Sequence, residues 1–317
     1  MKHSIKITSV LLVMFLLTQF IGLFVITQYA PHQSQFIDAE GNVTNITTYS
    51  LPYGTEPPQD IKPASLWEIL ISFVIFFTIA VALMLFLMKY KAALLLRIWF
   101  FLVVSLALGI TINSFIFKFV PLSSLLVLIV AVPLAYLKVF RRNLIVHNIT
   151  ELLIYPGIAS IFVALILSWT VIPIIVVALL LILISLYDMY AVWHAGFMQK
   201  MAKYQIHQLK FFTGFFVPYI SPKEQENLRK FKKSKKGKEQ KLKVSVAILG
   251  GGDVVFPIIL AGVVMLNWGI LSAITISLFA TIALAGLFYF SQKGKFYPAM
   301  PFITTGCFIG LIVAYFI

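Results

Sequence analysis

Runs of about 20 apolar residues recur from one end of this 317-residue chain to the other, separated by short polar or basic breaks. Nine such runs stand out, at about 5–28, 66–88, 93–115, 120–137, 144–168, 171–195, 244–266, 269–290 and 297–317. A helix rises 1.5 Å per residue, so about 20 residues cross roughly 30 Å of hydrocarbon. Backbone groups meet no water at that depth, and a helix satisfies them internally. The ten-residue alternation of a membrane β-barrel is missing. The pattern therefore predicts an all-α polytopic membrane protein with nine transmembrane helices. The first run follows Lys2 and Lys6, but it is too long for a signal peptide and no small-x-small cleavage site follows it. It reads as a retained signal anchor.

The polar breaks carry the orientation. Basic residues gather at the N-terminus (Lys2, Lys6) and in alternate connections: Lys89, Lys91 and Arg97, then Lys138, Arg141 and Arg142, then Lys293 and Lys295. The intervening connections hold only Lys62 and Lys118, and the first of them is acidic, with Asp38, Glu40, Glu56 and Asp60. By the positive-inside rule the N-terminus is cytosolic and the C-terminus extracytosolic, as an odd number of spans requires. The net charge of +14 is thus a topological signal, and no nucleic-acid partner is expected. The sequons at Asn42 and Asn45 fall in the first external loop and permit glycosylation there.

The connection at 196–243 divides an N-terminal part, 1–195, from a C-terminal part, 244–317. It carries thirteen Lys and Arg against Glu224, Glu226 and Glu239. Residues 196–216 mix apolar and basic positions at helical spacing, which predicts an interfacial amphipathic helix; "LRKFKKSKKGKEQKLK" after it reads as a flexible basic loop. Two readings stand for this segment: contact with anionic lipid, or a solvated loop that obeys positive-inside.

Composition agrees with a multi-pass protein of the cell membrane, with 61% hydrophobic and 11% charged residues. Cys307 is the only cysteine and the five histidines form no HExxH, so no disulfide, metal site or cofactor is expected.

Of the eleven acidic residues, only Glu151, Asp188 and Asp253 fall within spans; Glu68 opens the second. A mid-helix aspartate costs roughly 2.5–3.5 kcal/mol to insert, which makes it a functional candidate by default. Asp188 lies on the sixth span and Asp253 on the seventh, which is antiparallel to it. Helical rise puts Asp253 roughly 14 Å in from Val244 and Asp188 roughly 9–18 Å from the inner end. The two can therefore face one another at a similar depth. Two carboxyls sharing a site hold one proton between them, so one can activate water while the other polarises a carbonyl. The same pair suits a proton or cation relay, or one aspartate paired structurally to a base such as His194. From the carboxylates alone, hydrolysis and ion translocation stand level. Glu151 sits near the inner end of its span, where it can reach the interface or pair with Arg142 or His147.

The residues around the pair separate the two. Tyr187-Asp188 occurs in "LYDMYAV", Gly250-x-Gly252-Asp253 in "GGGD", and Pro298-Ala299-Met300-Pro301 in "YPAMP". YD on the sixth span, GxGD on the seventh and a PAL-type motif at the ninth together resemble the presenilin and signal peptide peptidase family of intramembrane aspartyl proteases. Prepilin peptidases also use GxGD, but they explain neither the YD nor the "PAMP". The inside N-terminus and "PAMP" are presenilin-like, whereas "DVVFP" is nearer the signal peptide peptidase pattern; the mixture resembles a microbial, archaeal-type homologue. Met300 replaces the family's usual leucine, a nearly volume-conserving change.

The resemblance implies that Asp188 and Asp253 are catalytic and that the substrates are transmembrane segments in the bilayer, cut without a cofactor. Gly250, one helical turn before Asp253, and Gly252 would allow close approach on its face. Pro257 lacks the N–H that would bond the Asp253 carbonyl, which should loosen the helix there. Tyr187 is placed to donate to a carboxylate or substrate. Pro298 and Pro301 should keep 298–301 out of regular helix, leaving backbone groups to which an extended substrate can add as a strand.

Overall fold

The computed structural model describes residues 5–37, 43–58, 63–90, 92–120, 122–141, 143–195, 213–219, 245–291 and 297–317. Among these are nine helices: α1 (Ile5–Gln28), α2 (Leu66–Lys89), α3 (Ala93–Ile116), α4 (Ser123–Phe140), α5 (Leu144–Trp169), α6 (Pro173–Tyr190), α7 (Gly251–Trp268), α8 (Ile270–Phe290) and α9 (Met300–Tyr315). Eight are long and apolar enough to cross a membrane, and α9 is a shorter apolar helix. The protein is a polytopic helical membrane protein.

Local chemistry explains several ends. Ser65 and Glu68 form a reciprocal capping box at the start of α2, which accounts for the acid at that interface. Asn143 caps α5 by accepting from Ile145 and Val146. Pro173 opens α6, where its missing N–H is no loss.

The helices α1, α5 and α7 pack on one another at the centre, with α3 and α4 on one flank and α8 and α9 on the other. Small residues set the central approach. An added Cβ at Gly22 of α1 would fall 2.4 Å from the Ile258 side chain of α7, and one at Gly262 of α7 would fall 2.4 Å from Ile26 of α1. Each helix thus seats an isoleucine against the other's glycine, the close packing that membrane helices rely on. By contrast α2 packs lightly, against α6 and α3.

The chain is not wholly helical. Strands β1 (His32–Ile37) and β2 (Val43–Thr48) form an antiparallel hairpin in the first loop, with Asn45 within β2; Asn42 lies outside the described residues. A second hairpin corrects the sequence reading more deeply. Strand β3 (Gly214–Tyr219) pairs antiparallel with β4 (Ser245–Gly250), with Gly214 opposite Gly250. The seventh helix therefore begins at Gly251 rather than 244, and the end of the expected amphipathic helix is a strand. The rest of 196–243, apart from 213–219, lies outside the described residues. Burial shows why β4 is a strand: Ala247 and Leu249 are buried while Ile248 between them is exposed, the two-residue period of a pleat. Gly250, the last residue of the strand, also disfavours helix at the point where α7 starts.

Candidate active site

Asp188 lies in the last turn of α6, which gives way after Tyr190 to a wide π-helical turn at Ala191–Ala195. Its side chain is buried, and Oδ2 accepts a 3.1 Å hydrogen bond from the Met300 N–H. This is a free donor at the N-terminus of α9, where the helix dipole also favours negative charge. One turn away the Ser185 and Thr304 hydroxyls are 2.7 Å apart, a second tie between α6 and α9. The "PAMP" motif thus places a backbone donor, the Met300 N–H, on Asp188. Its helix begins at Met300, with Pro301 in the first turn, so only the residues before it are irregular. Pro298 and Met300 are buried, and Ala299 and Pro301 half-buried.

Asp253 occupies the third position of α7 and not mid-helix, because β4 has replaced the first turns expected there. Its carboxylate lies beside Gly250, the N-cap residue of α7. Gly250 is extended and so lies off the helical face assigned to it from the sequence; a Cβ there would sit 3.1 Å from Asp253 Oδ2 and crowd the carboxylate. Gly252 is exposed, and its added Cβ would meet only Phe256, at 3.8 Å, leaving the space beside Asp253 open. Pro257 sits inside α7 without ending it; the helix runs on to Trp268. The neighbouring Val254 carbonyl takes a hydrogen bond from the amide of Gln19, fully buried on α1.

The structure brings the two carboxylates together. The helices α6 and α7 pack side by side, and Asp188 lies close enough to act electrostatically on Asp253. Tyr187 does not point into a hydrogen bond that the geometry identifies; its ring stands edge-on to Phe77 of α2 at 4.8 Å. Among the described residues no group of three His, Cys, Asp or Glu side chains is arranged to hold a metal.

Two features escaped the sequence reading. Gly251, passed over between Gly250 and Gly252, is the most crowded of the three: an added Cβ would lie 2.7 Å from the ring of buried Tyr155 on α5. Glu151 is not at the interface, and Arg142, its other expected partner, lies outside the described residues. Glu151 is buried and bonded to Lys138 of α4 at 2.5 Å, with His147 at 3.5 Å and the Gly214 N–H at 3.2 Å. The expected His147 contact is present; the buried lysine was the unseen partner.

A family model described as signal-peptide peptidase, presenilin aspartyl protease matches residues 49–317. The chain belongs to that family and is an intramembrane aspartyl protease, a hydrolase that acts on transmembrane protein substrates. Among solved structures, a presenilin family intramembrane aspartate protease in its C222 crystal form aligns with a TM-score of 0.57 and 18% identity, over 97% of this chain and 98% of that one. Its P2 form gives a TM-score of 0.58 and 19% identity, over 96% of each chain. At that identity the likeness establishes the shared fold. No curated protein matches the chain by sequence. Family membership decides between the two chemistries left level by the carboxylates, in favour of hydrolysis.

Proposed function

We propose that Asp188 and Asp253 are the catalytic dyad of this protease. The observation that carries the assignment is their convergence: two acids on helices that pack side by side, Asp188 in the last turn of α6 with a bond from the Met300 N–H and Asp253 in the first turn of α7, lie within electrostatic reach of one another. The pair shares one proton. Its ionised member takes a proton from water as the oxygen attacks the scissile carbonyl, and its protonated member donates to the carbonyl oxygen. The tetrahedral intermediate collapses as the amine leaves with a proton from the dyad. Tyr187 borders this space. Gly250 and Gly252 keep side chains out of it, Pro257 leaves the Asp253 carbonyl without its usual partner, and Pro298–Pro301 deliver a donor for Asp188.

A peptide bond inside a helix is covered by its own hydrogen bonds, so the substrate helix must unwind before attack. Backbone groups of Gly214 and Phe216 face α5, which turns Phe215, Val217 and Tyr219 towards β4 and leaves Val246 and Ile248 facing away from β3. An unwound segment extends along that edge, which runs directly towards Asp253. Together with nine spans, a cytosolic N-terminus and residence in the cell membrane, this puts cleavage in the cytosolic half of the bilayer. The supports are the alternating basic connections and the shared position of both acids at one end of their helices.

The test uses purified protein in liposomes with a transmembrane peptide, an aspartic-protease transition-state analogue, and product mapping by mass spectrometry. Asp188→Asn and Asp253→Asn are each expected to reduce cleavage to background while keeping helix content and elution volume. Cleavage at the wild-type rate by either variant would remove that residue from the dyad.

A further inference from the structure

The site described above leaves one buried polar cluster among the described residues unused. Lys138, His147 and Glu151 are all buried, on helices that are otherwise apolar. A buried ion pair is weak grounds for stability, since well-packed apolar residues often serve as well. The hydrogen bonds that leave the cluster are therefore informative, and they converge on one strand. Glu151 Oε1 accepts from the Gly214 N–H at 3.2 Å, and His147 Nε2 donates to the Gly214 carbonyl at 2.8 Å. The next residue of α5, Asn148, donates to the Phe216 carbonyl at 2.8 Å and accepts from the Phe216 N–H at 3.0 Å. Gly214 and Phe216, two of the three outward-facing residues of β3, thus have both backbone groups satisfied by α5 side chains, which stand in for a neighbouring strand. Lys138 holds Glu151 in place and lies 3.4 Å from His147 Nδ1, the ring nitrogen left to accept once Nε2 donates.

The residue gripped at this edge has a defined partner. Gly214 lies opposite Gly250, the N-cap of α7, where an added Cβ would sit 3.1 Å from Asp253 Oδ2. One turn further along α5, Tyr155 packs edge-on to Phe215 at 5.6 Å and against Gly251. We propose that Asn148, His147 and Glu151, with Lys138 holding Glu151, are positioning residues for Asp253: by clamping the outer edge of β3 they set where β4 ends and α7 begins. The clamp acts through the hairpin and touches no reacting atom. It rests on the assignment of Asp253 to the dyad.

Two variants of the full-length protein in liposomes test it. Asn148→Ala removes both bonds to Phe216 at a half-buried position, so the protein should fold. Lys138→Met with Glu151→Leu removes both charges while keeping apolar bulk, so thermal stability should be held or raised. Displacement of a catalytic group by about 1 Å can lower the rate about 10²-fold. Both variants should therefore lose about 10- to 100-fold in kcat. KM should stay within about twofold and the melting temperature should not fall, while affinity for a dyad-binding transition-state analogue drops in proportion to kcat. Wild-type kcat in both variants, or a loss confined to KM, would overturn the clamp. So would a kcat loss matched by a collapse in melting temperature in both. Asp253→Asn run alongside separates the failures: if it still cleaves, the dyad assignment is wrong, and if it alone is inactive, only the positioning role is.

Discussion

Two apolar helices of this protein, α2 and α7, have opposite surroundings. On α2 a single residue, Ile69, is buried, and Trp67, Ile75, Phe76 and Phe86 project outward. On α7 eleven of eighteen residues are buried, although the helix is less apolar and opens with two glycines and an aspartate. The contrast teaches that hydropathy reports how readily a segment enters lipid, and not what it touches there. A helix facing lipid all round must be apolar all round, whereas one enclosed by protein can carry a carboxylate and glycines because neighbouring helices supply the donors and fill the space.

The sharpest way to break the contrast is at the start of α7. Asp253→Glu keeps the acid but moves it by one methylene, and the dyad geometry should suffer about a 10²-fold or greater loss of kcat, read from initial cleavage rates. Next is Gly251→Val. Its Cβ would enter the Tyr155 ring, and overpacking of about 1–3 kcal/mol should lower both the melting temperature and kcat, the latter about tenfold or more. Tyr155→Ala added to that variant should recover part of the loss.

Changes on α2 should be milder. Phe77→Ala removes the edge contact with Tyr187, worth about 0.5–1.5 kcal/mol, so cleavage should fall less than about tenfold with the melting temperature little changed. The smallest effect belongs to Ile75→Leu and Phe76→Leu on its outer face, which should leave both readouts at wild-type values. A large loss there would show that α2 is covered by a partner and is not simply a lipid-facing helix.

Legibility from sequence followed the range of the interactions involved. The spans up to α6 begin and end within a few residues of their apolar runs, because partition into hydrocarbon is a property of the segment itself. The YD, GxGD and "PAMP" positions were visible as short local strings, and the structure brings Asp188, Asp253 and Met300 together. The start of α7 was misread because Val244–Gly250 is apolar enough for either state. Its strand depends on β3, about 30 residues earlier along the chain, and on the α5 side chains that close the edge of β3. The alternation of Ala247, Ile248 and Leu249, with three glycines after it, was the available sign.

What the sequence determined by itself was therefore the solvent and the chemistry: a chain that must enter a membrane, with two acids it would not place there idly. Tertiary structure alone decided that Asp253 opens a helix instead of interrupting one, that Gly251 and not Gly252 is the tight contact, and that Glu151 is matched by Lys138. Transfer into lipid is summed over neighbouring residues, so it can be read along the chain. A buried charge or a strand edge is tolerated only if a distant group arrives to satisfy it, and that group is chosen by how the helices pack.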